Sequence, residues 1–345
     1  MHQLTDSTLA FGPLPAELLL NVIEHLAGIH NYHKSIAYAP SNAITKALRA
    51  LTLVSRTCYL LASKYLYTHC LYLHTCTNFS QLRRTLGLGS GPLPQALRYG
   101  EAGRNDALFH AAQIRITNAF IAPMQTQACE EIRMTMVRLP QIIDLGLTIG
   151  PTLKRLALDM NPVYATPSEI FRIKPHLATN NIFLRMPNLY ELICSFDTVD
   201  CFPVPPPNLR RLAITSHGLG DEAVAGFCFA ISSLEYLACI RGEDLSGRDI
   251  DDIFNRYKGH GLDVLLVDLN NNHVTPPGVR NWTEEDKVRI WEVDVPTSFY
   301  GDEDDITLSD GWIWTQGVKG SLWEADRRRM RDQRDLDRLL ETSPS

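Results

Sequence analysis

At 345 residues the chain is longer than the roughly 250 to 300 residues at which a single hydrophobic core stops growing, so one compact core is not expected. Lysine and arginine total 33 against 39 aspartates and glutamates, a formal net charge of −6, which lacks the basic excess of a nucleic-acid binder. With 45% apolar and 21% charged residues the composition is that of a folded globular protein and excludes wholesale disorder.

No run of about 18 apolar residues occurs, and Met1 to Gly12 has no basic and then apolar leader; an intracellular protein, cytoplasmic or nuclear, with no membrane partner is expected. The cysteines, Cys58, Cys70, Cys76, Cys129, Cys194, Cys201, Cys228 and Cys239, form no CxxC pair and are expected to be reduced and mostly buried.

After a flexible stretch over 1–13, Leu14-Pro15-Ala16-Glu17 opens an amphipathic helix whose stripe is Leu18, Leu19, Val22, Ile23 and Leu26, with Pro15 suited to the first turn. A second periodic run joins Ile44, Ala47, Leu48, Leu51 and Val54, and a third joins Leu61, Ala62, Tyr65 and Leu66. Three short helices over 14–67 bury too little surface to be robust alone, so a neighbour in the same or another chain should cover part of their apolar face. Taken alone, LPxE before leucines also describes a plain helical hairpin.

Four pieces in order, LPxE, Ile23-x-x-Leu26, Leu53-Val54-Ser55-Arg56 and Ala62-x-x-x-Leu66-Tyr67, resemble the F-box pattern of fungal F-box proteins. The resemblance implies that the helices dock on the Skp-type linker subunit of a cullin-RING ubiquitin ligase, through Leu14, Pro15, Ile23, Leu26, Leu51, Val54 and Ser55. The chain departs from the pattern in its spacer, Ala27 to Lys46, a loop bearing His and Tyr where many F-boxes have a short turn.

Downstream a short frame recurs: Leu153-x-x-Leu156-x-Leu158, Leu189-x-x-Leu192-x-Cys194, Leu209-x-x-Leu212-x-Ile214, Leu234-x-x-Leu237-x-Cys239 and Leu262-x-x-Leu265-x-Val267, with Val288-x-x-Trp291-x-Val293 as a degraded sixth. The five full frames start 36, 20, 25 and 28 residues apart, three of these four spacings inside the range of leucine-rich repeats. Each frame predicts a short strand, the strands pairing in parallel along a concave face. Helical returns are expected from Ala223, Val224, Phe227, Cys228 and Ile231, and from Ile250, Ile253, Phe254 and Tyr257 behind the cap signal Ser246-x-x-Asp249. Asn161 and Asn270 stand where the repeat consensus uses Asn to satisfy loop backbone groups. Between about Leu73 and Gly150 the frame fades; Ile114-Arg115-Ile116 alternates like a strand, and longer early repeats are expected there.

All five tryptophans lie at or beyond position 282, and a strand through Trp312-Ile313-Trp314 would put both indoles on one face. They form either a layer capping the last repeat or a recognition surface. Asp302 to Asp305 reads as a solvated loop, since no EF-hand series surrounds it. Ser321 and Glu324 form a capping box for a solvated helix containing Arg327-Arg328-Arg329.

No nucleophile elbow or phosphate loop occurs: Gly87 to Gly91 lacks a Gly-Lys-Ser/Thr ending, so a flexible connection is expected there. His25, His30 and His33, and the group His69, Cys70, His74 and Cys76, match no zinc module; the latter suits a strand. Neither catalytic residues, nor a metal, nor a cofactor are expected.

The expected fold class is therefore α/β: a three-helix F-box over 14–67, an irregular leucine-rich repeat solenoid with parallel concave strands over 68–295, and a C-terminal cap with a charged helix over 296–345. The expected function is a non-catalytic adaptor of an SCF-type ubiquitin ligase. Its partners would be the Skp-type linker, through it the cullin-RING ligase, and a target protein held at Arg155, Tyr190, Arg210, Tyr236, Trp312 and Trp314. The alternatives are a repeat scaffold that works without a ligase and an enzyme with an unfamiliar site.

Overall fold

A computed structural model describes residues 15–26, 35–88, 116–124, 136–163, 181–215, 219, 221–242, 245–268, 279–296 and 305–330. Three helices lead: α1 (Ala16–Leu26), α2 (Ala43–Leu51) and α3 (Arg56–His69). Asn42 caps α2 by accepting from the Ile44 amide at 2.8 Å, and Ser55 caps α3 by accepting from the Cys58 amide at 3.2 Å. Their core is small: Ile23, Leu48, Ala62 and Tyr65, flanked by partly buried residues such as Leu19, Leu26, Leu51 and Leu66.

The chain then lays down a mostly parallel open sheet in sequence order. Its strands are β1 (Tyr72–Thr75), β2 (Asn118–Met124), β3 (Arg155–Leu158), β4 (Glu191–Ser195), β5 (Arg211–Thr215), β6 (Tyr236–Ile240), β7 (Leu262–Asp268) and β8 (Val288–Asp294), with β9 (Arg328–Arg329) antiparallel at the far edge. The returns carry α4 (Cys76–Thr85), α5 (Leu139–Ile149), α6 (Phe196–Cys201), α7 (Glu222–Phe229) and α8 (Gly247–Arg256). All five contribute to one core on one face of the sheet, including Phe79, Ile143, Val199, Phe227 and Ile253. Ser246 and Asp249 form the expected capping box of α8. The architecture is α/β, compatible with a solenoid.

The register locates the frames. Leu156, Leu192, Leu212 and Leu237 are consecutive partners and lie in the helix-side core. Ala119 extends this row backwards, so Ile116-x-x-Ala119-x-Ile121 on β2 and the stretch through Leu71 and Leu73 on β1 are earlier copies. Ile114 and Arg115 lie outside the described residues. The last two frames are corrected by one residue: Leu237 pairs with Val264, and Val264 with Ile290. Leu265, Val267, Trp291 and Val293 therefore sit on the opposite face. A one-residue shift exchanges the faces of a strand, and in β7, buried on both sides, the apolar pattern does not choose between registers.

Asn161 is exposed, contrary to its expected role. The loop backbone beside it is satisfied instead by Ser195, whose Oγ accepts from the Met160 amide at 3.0 Å, and Thr198, whose Oγ1 donates to the Leu158 carbonyl at 3.2 Å. Asn270 lies outside the described residues.

The C-terminal segment departs most from expectation. Trp312 and Trp314 are on a helix, α9 (Asp305–Lys319), which lies across β4 to β7 on the face away from the other helices. Trp312, Ile313, Leu322 and Trp323 fill a second core there with Ala157, Ile193, Ala213, Ala238 and Leu265. A Cβ at Gly317 would overlap Ile193 Cδ1, so a larger residue there would force that buried side chain to move. The expected charged helix from Ser321 is instead a 3-10 turn, Leu322–Glu324, followed by β9. Ser321 Oγ bonds Gln316 Oε1 at 2.6 Å and makes no cap. The strand is favoured by acids waiting at the sheet edge: Arg328 pairs with Glu292 at 2.8 Å and with Asp294 at 2.6 Å, and Arg327 pairs with Asp263 at 3.5 Å. Residues 302–304 of the acidic loop, and everything beyond 330, lie outside the described residues.

Candidate protein-docking surfaces

Two surfaces carry the residues singled out from the sequence. On the helical unit, the wide stripe of α1 divides. Ile23 is fully buried and Leu19 and Leu26 pack beside it, whereas Leu18 and Val22 point outward at 51% and 56% exposure. Leu53 and Val54, in the α2–α3 turn, are 88% and 68% exposed, and Tyr59 and Leu60 on α3 are 51% and 52% exposed. Of the seven positions expected to contact a linker subunit, Leu14 lies outside the described residues, Pro15, Val54 and Ser55 are exposed, Leu26 and Leu51 are half-buried, and Ile23 faces inward. Ser55 spends its hydroxyl capping α3.

Leu18, Val22, Leu53, Tyr59 and Leu60 join the exposed set only in the structure. The sequence signal was a stripe too wide for the four-residue core beneath it. Tyr65 Oη donates to Glu24 Oε1 at 3.0 Å, tying α3 to α1. Burial, reinforced by that carboxylate, pushes the phenol up to about 12.

The second surface is the sheet face opposite the returns, expected to be open and concave. Arg155, expected there as an exposed contact, is buried. Its Nε and Nη2 reach Glu191 Oε2 and Oε1 at 2.9 and 3.1 Å, and its Nη1 donates to the Ser35 carbonyl at 3.3 Å. Glu191 Oε1 also accepts from Trp323 Nε1 at 3.1 Å. Tyr236 is half-buried, with Trp323 and the Arg211 guanidinium against its ring at 6.1 and 5.5 Å. Trp312 is 4% exposed, and Trp314 is half-buried, edge-on to Phe120 at 6.3 Å. Arg155 and Trp312 are buried and Tyr236 and Trp314 partly covered because the C-terminal segment lies on this face.

Tyr190 and Arg210 remain accessible, Tyr190 at 38% and the Arg210 side chain at 64%. They belong to a rim just before the strands, where the Tyr190 amide donates to the Lys154 carbonyl, that of Arg210 to Tyr190, and that of Glu235 to Arg210. Arg210 and Glu235 pair loosely across it at 3.7 Å.

Among the described residues no group of three or more His, Cys, Asp and Glu side chains could hold a metal, and no helix is long and apolar enough to cross a membrane. Burial raises the thiols of Cys194, Cys228 and Cys239 well above their ordinary range, which keeps them protonated near neutrality. A scan against protein-family models finds no match, and a search of curated proteins finds none either.

Proposed function

We propose that the chain is a substrate-recognition adaptor of an SCF-type ubiquitin ligase, with α1 to α3 an F-box that binds a Skp-type linker subunit and β1 to β8 a leucine-rich repeat domain that holds a target protein. The observation that carries this reading is the exposed set Leu18, Val22, Leu53, Val54, Tyr59 and Leu60 on a unit whose own core has four fully enclosed side chains. Burying a large aliphatic side chain contributes about 1.5 to 3 kcal/mol, so leaving five of these and a tyrosine in water forgoes energy that a partner surface recovers. The adaptor does no bond chemistry. Holding a target lysine beside a ubiquitin thioester raises its local concentration to roughly millimolar or above, and that proximity is the acceleration.

The target surface belongs on the accessible rim of Lys154, Tyr190, Arg210 and Glu235, since the face opposite the returns is filled. Aromatic and arginine side chains there suit a protein partner.

The test is calorimetric titration of the purified chain with a Skp-type linker subunit. Wild type should bind, and Leu53→Asp with Val54→Asp should weaken binding about 30-fold or more, the equivalent of roughly 2 kcal/mol at an interface anchor, while the melting temperature stays put because both side chains are exposed. Absence of binding by wild type would leave a repeat scaffold that works without a ligase, and equal binding by the variant would remove the exposed set from the interface and with it the observation that carries the reading.

A further inference from the structure

In the long spacer between α1 and α2, the returning limb carries two buried residues. Ile36 is fully buried and Ala37 is 3% exposed. Ile36 belongs to the core on the sheet's second face, together with Ile193, Ile313 and Trp323, and not to the core of the helical unit from which it emerges. Its amide donates to the Val318 carbonyl at 2.7 Å, near the end of α9. One residue earlier, the Ser35 carbonyl accepts from Arg155 Nη1. Two residues later, the Tyr38 amide donates to the His69 carbonyl at 2.8 Å, which returns the limb to the end of α3.

Three segments distant in sequence thus meet on one buried ion pair. Arg155 and Glu191 hold each other from β3 and β4, Arg155 receives the spacer through Ser35, and Glu191 receives the C-terminal segment through Trp323. The spacer and α9 then bond to each other directly. A buried guanidinium with its donors directed at two acceptor groups is a built receptor, and a bidentate pair fixes direction as well as distance.

The other passage between the two units is α3 itself, which ends at His69 and continues through Cys70 and Leu71 into β1. It is braced by Asn118 Nδ2, donating to the Thr68 carbonyl at 3.0 Å. Tyr67 of α3 packs against the helix-side core, and Ile36 adds an attachment on the opposite face of the sheet.

We infer that the spacer is a positioning element: Ile36, seated between the sheet and Val318, locks the three-helix unit to the repeat domain as one body. Its use, presenting a bound target at a fixed place relative to the linker-binding helices, rests on the adaptor reading above. Tethered proximity gains most when the tether is stiff and the reacting groups are held in reach, because fewer unproductive orientations are sampled. Ile36 would then matter for the rate of transfer rather than for binding to either partner.

The test uses the full chain with spin labels on non-native ketone side chains at the exposed positions Asn21 on α1 and Asp251 on α8, leaving the cysteines untouched. Pulsed dipolar spectroscopy should give one narrow distance distribution for wild type and for Ile36→Val, and a distribution at least about twofold broader for Ile36→Gly, whose smaller side chain and freer backbone weaken the seat. A narrow distribution in Ile36→Gly would overturn the proposal by showing that the α3–β1 passage suffices, and so would a broad one in wild type. Should Ile36→Gly fail to fold, hydrogen exchange on wild type decides: the Ile36 amide should exchange at least about 100-fold more slowly than an unstructured amide, and unprotected exchange would refute the lock. Failure to bind a linker subunit would sink the adaptor reading and leave these distances untouched.

Discussion

Glu191→Ala should be among the most damaging single changes in the molecule. Glu191 is 1% exposed and accepts two hydrogen bonds from Arg155 and one from Trp323. Removing it takes the bidentate carboxylate away from a guanidinium that is 8% exposed, and breaking a buried pair in this way costs about 3 to 5 kcal/mol in proteins. The indole N–H loses its acceptor as well, a further cost of about 1 to 3 kcal/mol if no water reaches it. A total near 5 kcal/mol corresponds to a fall of roughly 10 to 20 °C in melting temperature for a domain of some 200 residues.

The ion pair need not be a net source of stability, because desolvating both groups offsets most of their attraction. Arg155→Met with Glu191→Leu should therefore restore more than half of the loss, with a coupling of at least about 2 kcal/mol between the two positions. Urea denaturation of wild type, Arg155→Met, Glu191→Leu and the double variant, followed by circular dichroism, measures the cycle, with Glu191→Ala beside it. A cost below about 1 kcal/mol for Glu191→Ala, or costs that simply add, would show that the C-terminal segment does not seal this pair from water.

Leu212→Asp, at a side chain with no exposure, should cost several kcal/mol, while Glu235→Ala, half exposed on the rim, should stay within about half a kcal/mol; equal thermal shifts would rule out the assigned faces. Gly317→Ala should destabilise by about 1 to 2 kcal/mol despite alanine's better helix propensity, since the new methyl meets Ile193, and Ile193→Val should relieve part of it in the same melt. For pH, the folded Cys239 thiol is pushed up to about 12 from an ordinary value of 9.0, and Cys194 and Cys228 are raised in the same direction, all by burial. A folded value above the unfolded one means that the unfolded chain loses its protons first. Stability is then full below pH 9 and declines toward pH 12, by up to about 1.4 kcal/mol per pH unit for each thiol. Cys239→Ala should flatten that slope in urea titrations between pH 8 and 11, and an unchanged slope would remove the thiol from the account.

The frames starting at Leu153, Leu189, Leu209 and Leu234 were legible because each presents leucines to a single buried face, where a period-two pattern has one solution. Leu262 and Val288 misled because β7 is buried on both faces, so that Val264, Leu265, Leu266 and Val267 form an unbroken apolar run in which two registers fit, and β8 takes its register from it. Ala119 was invisible for the opposite reason: the row that elsewhere uses leucine uses a methyl group there. Trp312-Ile313-Trp314 alternates as a strand would, yet Trp312 and Ile313 are both enclosed, which a helix lying on a flat face achieves and a strand does not. The status of Arg155 could not be read locally at all. The group that completes its burial, Trp323, bonds Glu191 across 132 residues of chain.

One signal of that covering was nonetheless present. The row facing α9 runs Ala157, Ile193, Ala213, Ala238 and Leu265. A solvated sheet face tends to carry polar or charged residues at such positions, and an uninterrupted aliphatic row flanked by further apolar residues is too large a patch to leave in water. The three alanines add a second constraint, since short side chains on that row leave room for the large side chains of Trp312, Ile313 and Trp323 in the same core. An apolar row of small residues on the nominally open face of a repeat sheet therefore implies an occupant. Here the chain supplies it from its own C-terminal segment, while the rim of Lys154, Tyr190, Arg210 and Glu235 stays accessible to solvent.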